Sequence, residues 1–258
     1  MSRPLFSILI CSADSAKFAA VRESYAGRMG RAPYEVVGIH DAKSLCEGYN
    51  RAMRQARGDI FVFSHDDIEL LSDDVGGTVA RHLADWDVIG VAGTTRMCAM
   101  GWADSGLRYA RGVVTHARDD GYDVVFFGAP AMVNGGIQGM DGVFFAARRE
   151  VAERIGFDEA TFDGWHGYDT DFTFRCHLAG YRLAVCLDIR LIHFSEGTVD
   201  EACLRYAKRF EDKHDAHLSR EAAPWFEVRK RVRTRDEVLA AYDMARLEKL
   251  TEELHARI

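Results

Sequence analysis

Along the first ninety residues the apolar positions alternate between a strand period and a helix period. Residues 5–11 form a short, largely apolar run of strand length, and Phe18, Val21, Tyr25 and Met29 then recur at helical spacing behind Asp14 and Ser15, which suit N-caps. Residues 34–39 read as a second strand. Ser44 and Glu47 have capping-box spacing ahead of a helical face of Leu45, Tyr49, Ala52 and Ala56, with Gly58 as the stop. A third strand is expected at 60–63, a helix over 73–83 and a fourth strand at 88–91. Such alternation predicts an α/β fold around a mostly parallel sheet with right-handed crossovers. Ligands of these sheets bind at the carboxyl ends of the strands.

From 92 to 142 the pattern loosens into a stretch rich in glycine and aromatic residues, which reads as a long binding loop. Regular structure resumes with a strand at 143–147, helices at 149–155 and 169–179, and strands at 182–186 and 191–193. Val199, Cys203, Tyr206 and Phe210 share a helical face. Thr234 and Glu237 form a second capping box, opening a terminal helix that carries Leu239, Tyr242, Leu247, Leu250 and Leu254 and is interrupted by Asp243 and Arg246. Its apolar stripe packs either on its own domain or, as a homodimer contact, on a partner chain.

Composition narrows the function classes. The 258 residues carry 33 basic and 40 acidic side chains, a net charge of −7, and the arginines are scattered, which argues against a nucleic-acid-binding surface. No apolar stretch approaches a membrane span. The start shows no secretory signal, and the six cysteines, at 11, 46, 98, 176, 186 and 203, lack the spacing of a zinc site or a disulfide framework. The expectation is a reduced, cytoplasmic, soluble protein.

Candidate chemistry gathers at predicted strand ends. His65, Asp66 and Asp67 close the third strand, and carboxylates there suit a hard divalent cation such as Mg²⁺ or Mn²⁺, or else a solvated turn. Asp169 and Asp171 open a helix, where acids serve either as a general base facing a cleft or as first-turn partners of the helix amides. Trp165 and His166 just before them favour a site, since a cap needs neither. His193 ends another strand and reads as a ligand or as a structural imidazole. Asp41 and Asp141 each either bind a ligand edge or start a turn. No glycine-rich phosphate loop or Gly-x-Ser-x-Gly elbow is present.

The order of these features is more specific than any one of them. Asp41 after the second strand, Asn50 in the next helix, His65-Asp66-Asp67, the run from Asp141 to Arg149, His166-Gly-Tyr-Asp-Thr-Asp171, Ala179-Gly-Tyr181 and Ile192-His-Phe-Ser195 follow one another in sequence. This resembles glycosyltransferase family 2 with its GT-A fold, and within it the streptomycin-biosynthesis-type branch, over about residues 5–215. The resemblance implies a GT-A domain at 1–215, leaving 216–258 as a helical C-terminal extension. It implies a metal-dependent, inverting transfer of a sugar from a nucleoside-diphosphate donor, UDP-sugar favoured, to a hydroxyl of a glycan, lipid-linked or protein acceptor. Asp67 and His193 would hold Mn²⁺ or Mg²⁺. Ser12, Asp41, Asn50, His65, Asp66 and Asp141 would contact the donor, Asp169 would be the catalytic base, and Trp165 and His166 would meet the acceptor. Two positions depart from the family pattern: His65 replaces the first acid of the metal motif, and Tyr168 replaces a glutamate. Those departures keep a non-catalytic nucleotide- or glycan-binding module open as an alternative, alongside a sugar nucleotidyltransferase.

Overall fold

The computed structural model describes residues 3–197, 199–224 and 228–256. The first part alternates as the apolar periods predict: β1 (Phe6–Cys11), α1 (Ser15–Arg28), β2 (Tyr34–Ile39), α2 (Leu45–Gln55), β3 (Ile60–Ser64), β4 (Ile68–Leu70), α3 (Val75–His82) and β5 (Val88–Gly90). Asp14 caps α1 through the amides of Ala16 and Lys17, and Ser44 caps α2 through that of Glu47. The Glu47 carboxylate reaches back to the Lys43 amide, one residue before the position a strict capping box would use.

The stretch expected to be a loop is instead mostly sheet. It contains β6 (Ala92–Thr94), a long hairpin of β7 (Ala110–Arg118) and β8 (Gly121–Gly128), and the short strands β9 (Val133–Gly135) and β10 (Gly139–Met140). Then come β11 (Phe144–Arg148), α4 (Arg149–Ile155), α5 (Tyr168–Leu178), β12 (Leu183–Cys186), β13 (Leu191–His193) and α6 (Glu201–His214). The chain continues through β14 (Val228–Val232), α7 (Arg235–Ala241) and α8 (Met244–His255).

Two mixed sheets result. The first has the order β2-β1-β3-β11-β5-β12-β9, with β1 parallel to β2 and β3 and β11 antiparallel to both of its neighbours. Alternation along its strands feeds two cores. Ile8 and Ile10 pack with Val21 and Tyr25 of α1 and Val79 of α3, while Leu9, Phe61 and Phe63 face Tyr49 of α2 and Phe172 of α5. The second sheet runs β10-β6-β7-β13-β4, extended by β8 against β7 and by β14 against β8.

The C-terminal segment was expected to be helical, yet it adds β14 to the second sheet. Asp243 does not interrupt one helix: it is the N-cap of α8, accepting from the Arg246 amide, so the predicted terminal helix is two. Leu247 and Leu254 of α8 belong to the protein's own core, with Val124 and Phe126 of β8. Among the described residues no helix is long and apolar enough to cross a membrane.

Candidate active site

Three strand ends and one helix start converge. β13 lies between β4 and β7, with His193 opposite Ile68 on one side and His116 on the other. Ile68 directly follows Asp67, and the Phe194 amide donates to the Asp67 carbonyl at 2.9 Å, so the loop after β3 and the end of β13 are locked together. Beneath them Tyr49 donates to the Ser64 carbonyl and packs on Phe63, Phe157 and Tyr168, an apolar floor that fixes the end of β3.

His65, Asp67 and His193 form a compact potential cation site. The His193 Nε2 stands 3.1 Å from Asp67 Oδ1 and 3.1 Å from His65 Nδ1, and His65 Nδ1 is 3.9 Å from Asp67 Oδ1. Ligand atoms held about 2.1 Å from one ion stand about 3 Å apart when at right angles, so two of these three edges already match. Burial alone would raise the Asp67 carboxyl. The His193 hydrogen bond and charge, aided by Ser195, outweigh it and hold the group well below the usual carboxylate range. Burial, then the neighbouring His193, pushes the His65 imidazole down, towards its neutral form.

Both departures from the family pattern turn out to touch. His65 Nε2 lies 2.8 Å from the buried Tyr168 hydroxyl, which in turn reaches the Gly142 carbonyl at 3.4 Å. The proton positions follow from the one group that can only accept. Ionised Asp67 takes the proton of His193 Nε2, so His65 Nδ1, facing that same N–H, carries a lone pair. His65 Nε2 then carries the proton and donates to Tyr168 Oη, whose own proton goes to Gly142. A neutral imidazole–phenol pair thus stands where the family pattern has two carboxylates, and it leaves the His65 lone pair aimed at Asp67 and His193.

Asp169 sits in the first turn of α5, behind Gly167, whose φ of 77° starts the helix. A Cβ on Gly167 would lie 2.8 Å from both Met100 Sδ and a Phe162 ring carbon. Burial, then repulsion from Asp141, raises the Asp169 carboxyl to about 7, against opposing hydrogen bonds from the backbone amides of Thr170, Asp169 and Gly142. Asp171 points the other way, to His214, Lys213 and Arg175, and serves as a structural tie between α5 and α6. Asp141 accepts from the Trp102 indole and the Val143 amide. Gly142 is a steric requirement, because a Cβ there would lie 2.1 Å from Tyr168 Oη and 2.8 Å from Asp169 Oδ2. Gly142→Ala is therefore expected to displace both side chains and cost at least tenfold in activity. A circular-dichroism melt close to that of the parent would show the loss to be local.

Two adjoining cavities share Leu45, His65 and Trp165. One, of about 300 Å³, is lined by Ser12, His40, Asp66, Asp67 and Ser195 among others. The larger, of about 530 Å³, reaches His65, His193, Asp141, Trp165, His166 and Asp169. Within the first, Ser12 donates to Asp66 Oδ2 at 2.6 Å. Asp41 is largely exposed and paired with Arg51, and Asn50 spends its amide on Phe157 and Glu159. Neither side chain lines the two cavities, so the structure does not bring Asp41 and Asn50 together with the other candidate residues. Sequence reasoning missed His116, brought beside His193 by strand register, and Lys17, whose ammonium lies 3.9 Å from Asp67. Neither carries a signal that spacing along the chain reveals.

A mixed α/β sheet with this acid–imidazole cluster at its carboxyl edge is the architecture of a GT-A-fold glycosyltransferase. The profile of a family described as glycosyltransferase-like matches residues 7–216, and the chain belongs to that family. Two solved structures share the fold. A mannosyltransferase from Pyrobaculum calidifontis, in complex with GDP-Man and Mn²⁺, is 14% identical with a TM-score of 0.52, covering 87% of this chain and 67% of its own. GalNAc-T7, with UDP, GalNAc and Mn²⁺, is 13% identical with a TM-score of 0.53, covering 82% of this chain and 48% of its own. No curated protein sequence matches.

Proposed function

We propose that the protein transfers a sugar from a nucleoside-diphosphate donor to an acceptor hydroxyl in one inverting, metal-dependent displacement. The observation that carries this reading is that one cavity is lined both by His65 and His193 of the cation cluster and by the raised carboxyl of Asp169. A general base works best with a pKa near the operating pH, and about 7 meets that condition. Of the other carboxylates lining this cavity, Asp141 is held by Trp102 and Val143, and Glu196 is paired with Arg118 and Arg229. That leaves Asp169 as base and supports direct attack over a covalent glycosyl-enzyme.

The residues present fit a divalent cation. His65 Nδ1, Asp67 and His193 would hold it, and when bound it would act as a Lewis acid on the donor's diphosphate. Two imidazoles and one carboxylate suit Mn²⁺ or a neighbouring transition metal better than Mg²⁺, which favours all-oxygen ligands. The Mn²⁺ in both solved neighbours supports the same choice. Ser12, Asp66 and His40 line the smaller cavity and would meet the nucleotide. Lys17 is placed to offset diphosphate charge.

Thermal melts with UDP and with GDP, each with and without Mn²⁺, test this reading. Ligand at a hundredfold excess over its Kd stabilises by about 2.7 kcal/mol, a readily measured rise in Tm. A Mn²⁺-dependent rise with one nucleotide, lost in Asp67→Ala, is expected. No rise with either nucleotide at millimolar concentration would point to a non-catalytic module.

A further inference from the structure

The larger cavity is uneven in its wall chemistry. Away from the histidine cluster its walls are Met100, Trp102, Val114 and Phe127, and its mouth is formed by Trp165 and Val199. Trp165 is 55% exposed and Val199 79%, although few large apolar side chains of the described residues are left open to solvent. Phe194 and Leu204, both also exposed, lie on the stretch running from β13 into α6. Exposed apolar side chains such as Trp165 and Val199 at the edge of a cleft mark a ligand groove.

The polar groups at this end are few, and most are already engaged. Both Asp141 oxygens are bonded, His116 Nδ1 is paired with the Ser195 carbonyl, and His166 lies 3.6 Å from Asp200. What remains is the carboxyl of Asp169, because the neighbouring Thr170 hydroxyl, though unpartnered, is buried out of reach of the cavity. A sugar acceptor, with hydroxyls around its ring, would leave most of them facing Met100, Val114 and Phe127 unpaired, a costly arrangement. The cavity therefore offers hydrogen bonding for about one hydroxyl, at Asp169, and apolar contact on the walls away from the histidines.

Charge narrows the class again. Among the described residues no lysine or arginine lines this cavity, and Glu196, at its mouth, is already answered by Arg118 and Arg229. A phosphate on the acceptor would approach Asp141 and Asp169 with no basic side chain to receive it, the metal, when bound, being taken by the donor's diphosphate.

We propose that the acceptor is an uncharged molecule presenting one hydroxyl on an apolar aromatic or alicyclic body, and that phosphate-bearing acceptors are rejected. This rests on the transferase reading above. In the step itself the acceptor O–H proton passes to Asp169, the acceptor oxygen bonds to the anomeric carbon, and the bond from that carbon to the diphosphate oxygen breaks, its electron pair leaving with the nucleotide. Trp165 and Val199 would flank the apolar body at the mouth.

Calorimetric titration of the intact protein, with Mn²⁺ and the stabilising nucleotide present, tests the proposal with three probes: 4-biphenylmethanol, methyl glucoside and 4-biphenylmethyl phosphate. The alcohol is expected to bind at least tenfold tighter than either of the others. Val199→Asp, a change at an exposed position, is expected to weaken it at least fivefold. Equal binding of the glucoside or the phosphate, or no binding of the alcohol while the nucleotide-induced rise in Tm persists, would overturn the acceptor class and leave the transferase reading standing. Absence of that rise itself would instead remove the transferase reading.

Discussion

Replacing Asp169 with asparagine is expected to slow sugar transfer by about 10²–10⁴-fold, the usual contribution of a general base, while raising the melting temperature at pH 8. Both effects have one origin. Burial and Asp141 lift the Asp169 carboxyl from an ordinary value of 3.8 to about 7, so above pH 7 the folded protein holds a carboxylate that its surroundings disfavour. A group raised in the folded state contributes stability that is fully present below its unfolded pKa and is lost as pH climbs through its folded one. Three units at about 1.4 kcal/mol each give about 4 kcal/mol, and roughly half of that is retained because cleft water reaches the group. The variant should therefore gain about 2 kcal/mol at pH 8, several degrees in Tm, and the gain should shrink as pH falls from 7 towards 4. Nucleotide binding should persist, since Asp169 does not line the smaller cavity. Activity of the parent should fall below pH 7 as the base is protonated, and Asp141→Asn, which removes a like charge, should move that fall to lower pH. A variant that transfers at full rate would remove Asp169 as base, and one with no gain at pH 8 would remove the cost of burying its carboxylate.

The parts of the fold that were legible in sequence are those in which one apolar period runs unbroken. The units from β1 to β3 have strands of five or six residues and helices with clear caps, so each announces itself. The hairpin of β7 and β8 did not. Its alternation is broken by Gly112, Gly121 and Gly128, all at positive φ, and its register shifts between Gly112 and Val113. Its partner β6, and the neighbouring strands β9 and β10 of the same stretch, are only two or three residues long. Such strands exist because of their neighbours and leave little pattern of their own. The site divides in the same way. Asp67, His193 and Asp169 lie at element ends, where order along the chain is informative, and the structure gathers them. Asn50 and Asp41 also occupy motif positions, but one ties down the turn at Phe157 and the other faces solvent. His116 reaches the site only through the pairing of β7 with β13, and long-range register is not written in either strand alone.

The contact between His65 and Tyr168 leads to the second large effect. Substitution of Tyr168 by phenylalanine removes the acceptor of the His65 Nε2 proton, one of the two contacts, with that to His193, that keep a lone pair on Nδ1 facing Asp67 and His193. Groups in this position, one bond beyond a metal ligand, typically control 10–100-fold in metal affinity. Tyr168→Phe is thus expected to weaken Mn²⁺ binding by at least tenfold, read by electron paramagnetic resonance of free Mn²⁺ with no donor present, independently of turnover. Loss of fold is not the expected cause, because phenylalanine keeps the ring against Tyr49 and Phe157 and deletes one hydroxyl. ¹⁵N spectra of the imidazoles supply a further check, since the parent should show His65 protonated at Nε2 and the variant a mixture of tautomers. His65→Asp, the acid of the common pattern, should narrow the gap between Mn²⁺ and Mg²⁺ by replacing a nitrogen ligand with oxygen. If Tyr168→Phe bound Mn²⁺ as the parent does and kept a single His65 tautomer, the phenol would be a packing residue, and the cation site would be organised by Asp67 and His193 alone.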